Sequence, residues 1–154
     1  MMADSIREQI ISAIMDHLAT WTTSNGYNHN CGVNVYRARH FWEISESPAA
    51  SLWPQVESNS PKYGNNYNTM PIKIEALTQY DVTENPSVII EELLADMKKL
   101  MGQQRSETVD SMADGVGYVE GGPEEYPDSS VSIVGCSATF HVSYFENKND
   151  PYSQ

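Results

Sequence analysis

The sequence predicts an α+β fold, a single mixed or antiparallel sheet with two helices packed on one face, in the order α-β-β-β-α-β-β. Three observations predict it. Apolar residues recur at helical spacing in two separate stretches, near the start of the chain and after Pro86. Apolar and polar residues alternate over 71–77 and again over 131–145. A length of 154 residues is that of one domain, long enough to bury a core without a disulfide or metal staple.

Each element has its own signals. Ser5-Ile6-Arg7-Glu8 has the form of a capping box, and Ile6, Ile10, Ile11, Ile14 and Leu18 place one apolar stripe on a helix running to about residue 20. Asn25-Gly26 stops any continuation. Period two replaces helical spacing over 33–38, the first strand, and a second short strand is expected over 52–57, where Pro54 would confine it to a sheet edge or its first positions. Residues 58–69, SNSPKYGNNYNT, are rich in turn formers and read as a surface loop. A third strand follows at 71–77, with Ile72, Ile74 and Ala76 on one face and Lys73 and Glu75 on the other.

Asn85 then provides an N-cap with Pro86 at the first helical position, and Ile90, Leu93, Leu94, Met97 and Leu100 form a stripe that ends before Gly102. No period is visible over 103–115, which reads as a loop insertion like 58–69. A short strand is expected at 116–119 and a proline-containing acidic loop at 120–128. The last strand, 131–145, puts Val134, Cys136, Ala138, Phe140, Val142 and Tyr144 on one face, against the more polar Ser137, Thr139, His141 and Ser143 on the other.

Composition narrows function. Nine Lys and Arg stand against 21 Asp and Glu, a net charge of −12, which argues against a groove-tracking DNA binder because phosphate affinity comes mainly from basic residues. No run approaches the roughly 18 apolar residues of a membrane helix. Met1-Met2-Ala3-Asp4 leads straight into the helical pattern without a secretory signal's basic region and apolar core, so reduced thiols in a cytoplasm are expected for Cys31 and Cys136.

Chemistry is sparse. His17, His29, His40 and His141 show no metal-ligand spacing, and His29 with Cys31 is the closest His/Cys pair. Cys31 with His40, or Cys136 with His141, lacks the third orienting group a nucleophile needs. Glu91-Glu92 and Glu124-Glu125 fall on a helix flank and in a turn-rich loop, where solvation is the simpler reading. No phosphate-cradling or nucleophile-elbow string occurs. We therefore expect no catalytic residues, no metal and no cofactor. The feature that does stand out is Tyr36-Arg37-Ala38-Arg39-His40-Phe41-Trp42, where two of the nine basic residues interleave with three aromatics. Core and edge packing, base stacking and a protein contact all fit it. The net charge favours the protein contact, with Arg37, Arg39, Phe41 and Trp42 at a subunit or partner interface and Trp53 extending the patch.

The helix carrying Ile6-Arg7-Glu8-Gln9-Ile10, the strand end Val35-Tyr36-Arg37 and the Asn85-Pro86 helix with Leu93-Leu94-Ala95-Asp96 together resemble the tail terminator, or tail completion, proteins of long-tailed bacteriophages. The ending Val142-Ser143-Tyr144 and Asp150-Pro151-Tyr152 is similar as well. The resemblance implies one tail-terminator-like domain over 1–154 that forms a homo-hexameric ring, caps the finished tail tube, ends its polymerisation and presents the head-joining surface. It implies a virion location at the tail–neck junction after assembly in the host cytoplasm. The partners implied are itself, the tail tube protein, a head-completion or neck protein and, in a contractile tail, a sheath protein reached by the loop insertions. DNA would pass the ring without being specifically bound. A subset of the acidic residues Asp110, Asp114, Glu120, Glu124, Glu125 and Asp128 would then face the lumen or ring surface, with simple solvation as the plainer reading. The alternatives are a neck or head-completion subunit and, in other classes, a small acidic inhibitor or a hydrolase.

Overall fold

Ser5 opens the first helix, α1 (Ile6–Leu18), its side chain accepting a hydrogen bond from the Glu8 amide at 3.1 Å. The reciprocal half of the capping box is not made: the Glu8 carboxylate turns instead to Ser12 and Arg37. This computed structural model describes residues 3–40, 44–102, 106–125 and 132–154, with the side chains of Ile44 and Glu125 outside that description.

Beyond α1 come strands β1 (Val35–Arg37), β2 (Ala49–Pro54), β3 (Ser58–Asn59) and β4 (Asn66–Gln79). They are followed by helices α2 (Pro86–Gly102) and α3 (Glu107–Met112) and strands β5 (Ala113–Glu125) and β6 (Ile133–Glu146). The strands form one mixed sheet in the order β1-β2-β4-β6-β5, with β3 paired to β4 outside that path. Only β1 with β2 is parallel among these pairings.

One face of the sheet is the core. Met70, Ile72, Ile74 and Ala76 of β4 lie beside Val142, Phe140, Ala138 and Cys136 of β6, all buried, as the alternation requires. Helix α1 packs against β1, β2 and α3, and α2 against β5 and β6. Ile10, Ile14, Leu18, Leu93, Met97 and Leu100 join the sheet residues in one cluster. The opposite face carries Thr69, Lys73, Glu75, Ser137, Thr139, His141 and Ser143, with no described helix over it. The fold class is thus the α+β sandwich expected.

Several elements differ from expectation. The 58–69 segment is not wholly a loop: β3 and the start of β4 form a hairpin whose tip, Lys62-Tyr63-Gly64-Asn65, closes a bridge with positive φ at Tyr63 and Gly64. Pairing to β6 carries β4 back to Asn66, where Tyr67 lies against Phe145 at 4.6 Å. In the 103–115 stretch, α3 forms because Ser106 caps it through the Val109 amide and Val109 enters the core. The strand expected at 116–119 spans 113–125, so most of the supposed acidic loop 120–128 is β5, held to β6 across three register shifts. Among the described residues the sheet has six strands and three α-helices accompany it, against five and two expected. Strand β2 begins at Ala49, earlier than the expected 52–57, and Pro54 ends it past the reach of β1, where its missing N–H breaks no ladder bond to that strand.

Candidate functional site

The basic cluster lies at the β1 edge. Arg37 reaches back across to α1 and grips Glu8 through both guanidinium nitrogens at 2.6 and 2.7 Å, with side chains 40% and 34% exposed. That bidentate bond, ahead of desolvation, holds the Glu8 carboxyl below its usual range and raises the guanidinium's already high value. Arg39 lies over the Tyr36 ring at 4.4 Å and pairs with Glu46. Its backbone exchanges hydrogen bonds with buried Ser51 of β2. His40 lies against Trp53 with ring centroids 4.6 Å apart, so Trp53 does extend this patch, on the sheet face away from the helices. Phe41 and Trp42 lie outside the described residues.

The acidic candidates gather at the opposite edge, on and before β5. Asp110 is exposed on α3. Asp114 accepts a hydrogen bond from the Tyr67 hydroxyl at 2.9 Å. Glu120 is exposed, facing Thr139 in register. Glu124 bonds Lys73 at 3.1 Å, and the Ser137 hydroxyl and then Lys73 hold its carboxyl below the usual range. The Lys73 ammonium sits between Glu124 and Glu75. Burial pulls its pKa down, and the two carboxylates outweigh that effect and raise it overall. Lys73, Glu120, Gly122, Glu124, Ser137 and Thr139 line a shallow open depression of about 460 Å³ on the helix-free face. Asp128 lies outside the described residues, as does the Glu125 side chain. Sequence spacing alone placed Glu124 in a stretch with few basic residues to neutralise it, whereas the sheet brings Lys73 to it from 51 positions away.

Sequence reading missed Asp96. It is 2% exposed on α2 and accepts hydrogen bonds from Trp21 Nε1 at 2.9 Å, the Asn28 amide at 2.9 Å, Asn28 Nδ2 at 3.1 Å and the His29 amide at 3.0 Å. His29 adds a 2.8 Å contact to Glu92 one turn away on the same helix. The available signal was an acid at a position belonging to the apolar stripe. A second buried polar group, the Tyr144 hydroxyl, donates to Glu57, which also pairs with Arg7 at 3.0 Å. Burial, then Glu57, raises the Tyr144 phenol well above its usual value. These networks bind helices to loops rather than converging on a cleft. Among the described residues, no group of three or more His, Cys, Asp or Glu is placed to hold a metal ion, and no helix is long and apolar enough to cross a membrane.

No family model matches this chain, and no curated protein does. Among solved structures, it is similar in fold to a chain of the "Virion of native gene transfer agent (GTA) particle". The match has 12% sequence identity, covers 92% of both chains and has a TM-score of 0.50. The arrangement of one mixed sheet with helices on one face is therefore shared, nearly end to end, with a component of that particle.

Proposed function

We propose that this chain is a structural subunit of a phage-type virion, the tail terminator, which forms a hexameric ring on the end of the tail tube, stops its growth and offers the surface that joins the head. The observation that carries the reading is the end-to-end fold likeness to a chain of a gene transfer agent virion, which agrees with the family resemblance of the helix, strand and C-terminal motifs. The chain acts by assembly and not by catalysis: its partners are further copies of itself, the tube protein and a head-completion protein, and in a contractile tail the sheath.

Physical chemistry supports the reading in two ways. A tube end with rotational symmetry is matched by a ring of the same symmetry built from heterologous contacts, and this sheet has two chemically different edges with which to make them. The chain is also acidic, and a passage for DNA must not hold the duplex. The test is electron microscopy of assembled particles from cells expressing a tagged copy, with light scattering on the free protein. Six copies in a ring at the tube end are expected. One copy per tail, or a two-fold interface, would sink the reading.

A further inference from the structure

The two outer strands of the sheet differ in charge, and each has a short unguarded stretch. We propose that β5 of one copy pairs with β1 of a second copy of this chain, head to tail, through residues 115–118 and 35–37. This rests on the ring reading above and names the surface that closes the ring.

Length comes first. Pairing of β5 with β6 shifts register between Ala113 and Gly115, between Tyr118 and Glu120, and between Pro123 and Glu125. The regular run between the first two irregularities is 115–118, close in length to the three residues of β1. Bulges and prolines are devices that keep a sheet edge from pairing, as are edge lysines. Strand β5 carries no lysine, and its proline and last bulge lie beyond Glu120, so 115–118 has none of these guards.

Strand sense comes next. β1 runs with β2, against β4, and so on through β6, which makes β1 and β5 opposite in direction within one copy. Rotation about an axis roughly parallel to the strands preserves each strand's sense, and with the ring axis so directed the contact between copies is antiparallel.

Side chains fix the register. Gly115 and Gly117 sit on the helix-free face opposite Ser143 and His141, and a Cβ at either would meet nothing within 4 Å. Tyr36, opposite Ser51, occupies the same face at the β1 edge. Placing Tyr36 of one copy across from Gly117 of the next covers the bare glycine with an aromatic ring, an arrangement known to stabilise glycine at sheet edges. The same register sets half-buried Val35 across from Tyr118, 44% exposed, both on the helix-bearing face, and Arg37 across from Val116. An aromatic–β-branched pair such as Tyr118 with Val35 is among the cross-strand combinations that favour pairing.

The experiment is oxidative cross-linking of the full chain carrying Arg37→Cys and Val116→Cys, with each single variant as control; the native Cys31 and Cys136 are buried. The double variant should give a covalent ladder up to a closed ring, and the single variants none. Adding Gly117→Ile to the double variant fills the space meant for Tyr36. The single chain has room for it, so circular dichroism and Tm should hold while cross-linking falls about tenfold. Covalent dimers from Val116→Cys alone would mean β5–β5 pairing and overturn the proposal, as would an absence of cross-links from the double variant. Six-copy rings on assembled particles without 37–116 cross-links would overturn this pairing and leave the capping reading standing. Cross-linked multimers with no ring at the tube end would do the reverse.

Discussion

Asp96 shows how much one side chain can organise. Its carboxylate replaces water for Trp21, Asn28 and His29 at once, inside a helix stripe otherwise made of Ile, Leu and Met. Asp96→Ala strands those donors, and we expect a loss of about 3 kcal/mol in urea unfolding, against about 1 kcal/mol for Trp21→Phe, which removes one donor and keeps most of the ring. Gly32 sets a second local constraint: a Cβ there would lie 2.7 Å from the Leu18 carbonyl and 2.8 Å from that of Ala19. Backbone cannot step aside as a side chain can, so Gly32→Ala should cost about 2 kcal/mol by the same assay. The thiols make a third case. Burial pushes Cys136 up to about 12, with Glu91 and Glu124 adding to it, and burial raises Cys31 also. Neither should react with a thiol reagent at about pH 8 in the native chain, and both should after unfolding.

At the level of elements, the Glu8–Arg37 pair ties α1 to the sheet's parallel edge and makes that tie sensitive to acid. Ionisation of Glu8 is favoured in the folded chain, so the stability it contributes is full above the ordinary carboxylate pKa and disappears as pH falls through the depressed one. Glu8→Gln should therefore lower the urea midpoint at neutral pH and flatten its decline between about pH 5 and pH 3. The second helix depends on its cap: Asn85 Oδ1 accepts the Ser87 amide at 3.0 Å, and Asn85→Ala should cost about 1 kcal/mol. That helix and the strand carrying Val134 to Tyr144 were readable in advance, because a buried stripe or alternating face leaves its period in the chain. Of β5 only the middle, at 116–119, was, since the rest of an exposed edge strand rich in Gly and Glu has no apolar period and takes its form from hydrogen bonds to β6. Helix α3 escaped notice because it offers a single buried residue, Val109.

For the whole molecule, six chains at −12 in the proposed ring would carry −72. Phosphates within a Debye length of about 8 Å of inward carboxylates would be repelled and not captured. Reversing Glu120 and Glu124 to Lys, if these line the passage, should retain DNA and depress ejection, with particle infectivity as the measurement; on an outer surface the same change should leave infectivity unaltered. The composition made this charge legible, and the Tyr36 to Trp42 segment drew attention by its residue types alone. That the two groups lie on opposite edges of one sheet was hidden, because edge identity depends on strand order, which joins β1 and β5 only through three intervening strands.

The stretch from Trp21 to Asn30 contains no α-helix or strand, and by its Asn, Thr and Gly content it resembles any solvent-facing connection. Its Asn28 and His29 amides and the Trp21 indole nonetheless end on the buried Asp96 carboxylate, and Lys99 closes over it to the Gly26 carbonyl at 2.9 Å. Proton exchange with deuterated solvent requires a donor to lose its acceptor and meet water. The Trp21 indole proton and the Asn28 and His29 amides should thus exchange at the pace of the α2 core rather than of a loop, so that a rigid segment would be found where secondary structure alone foretells a mobile one.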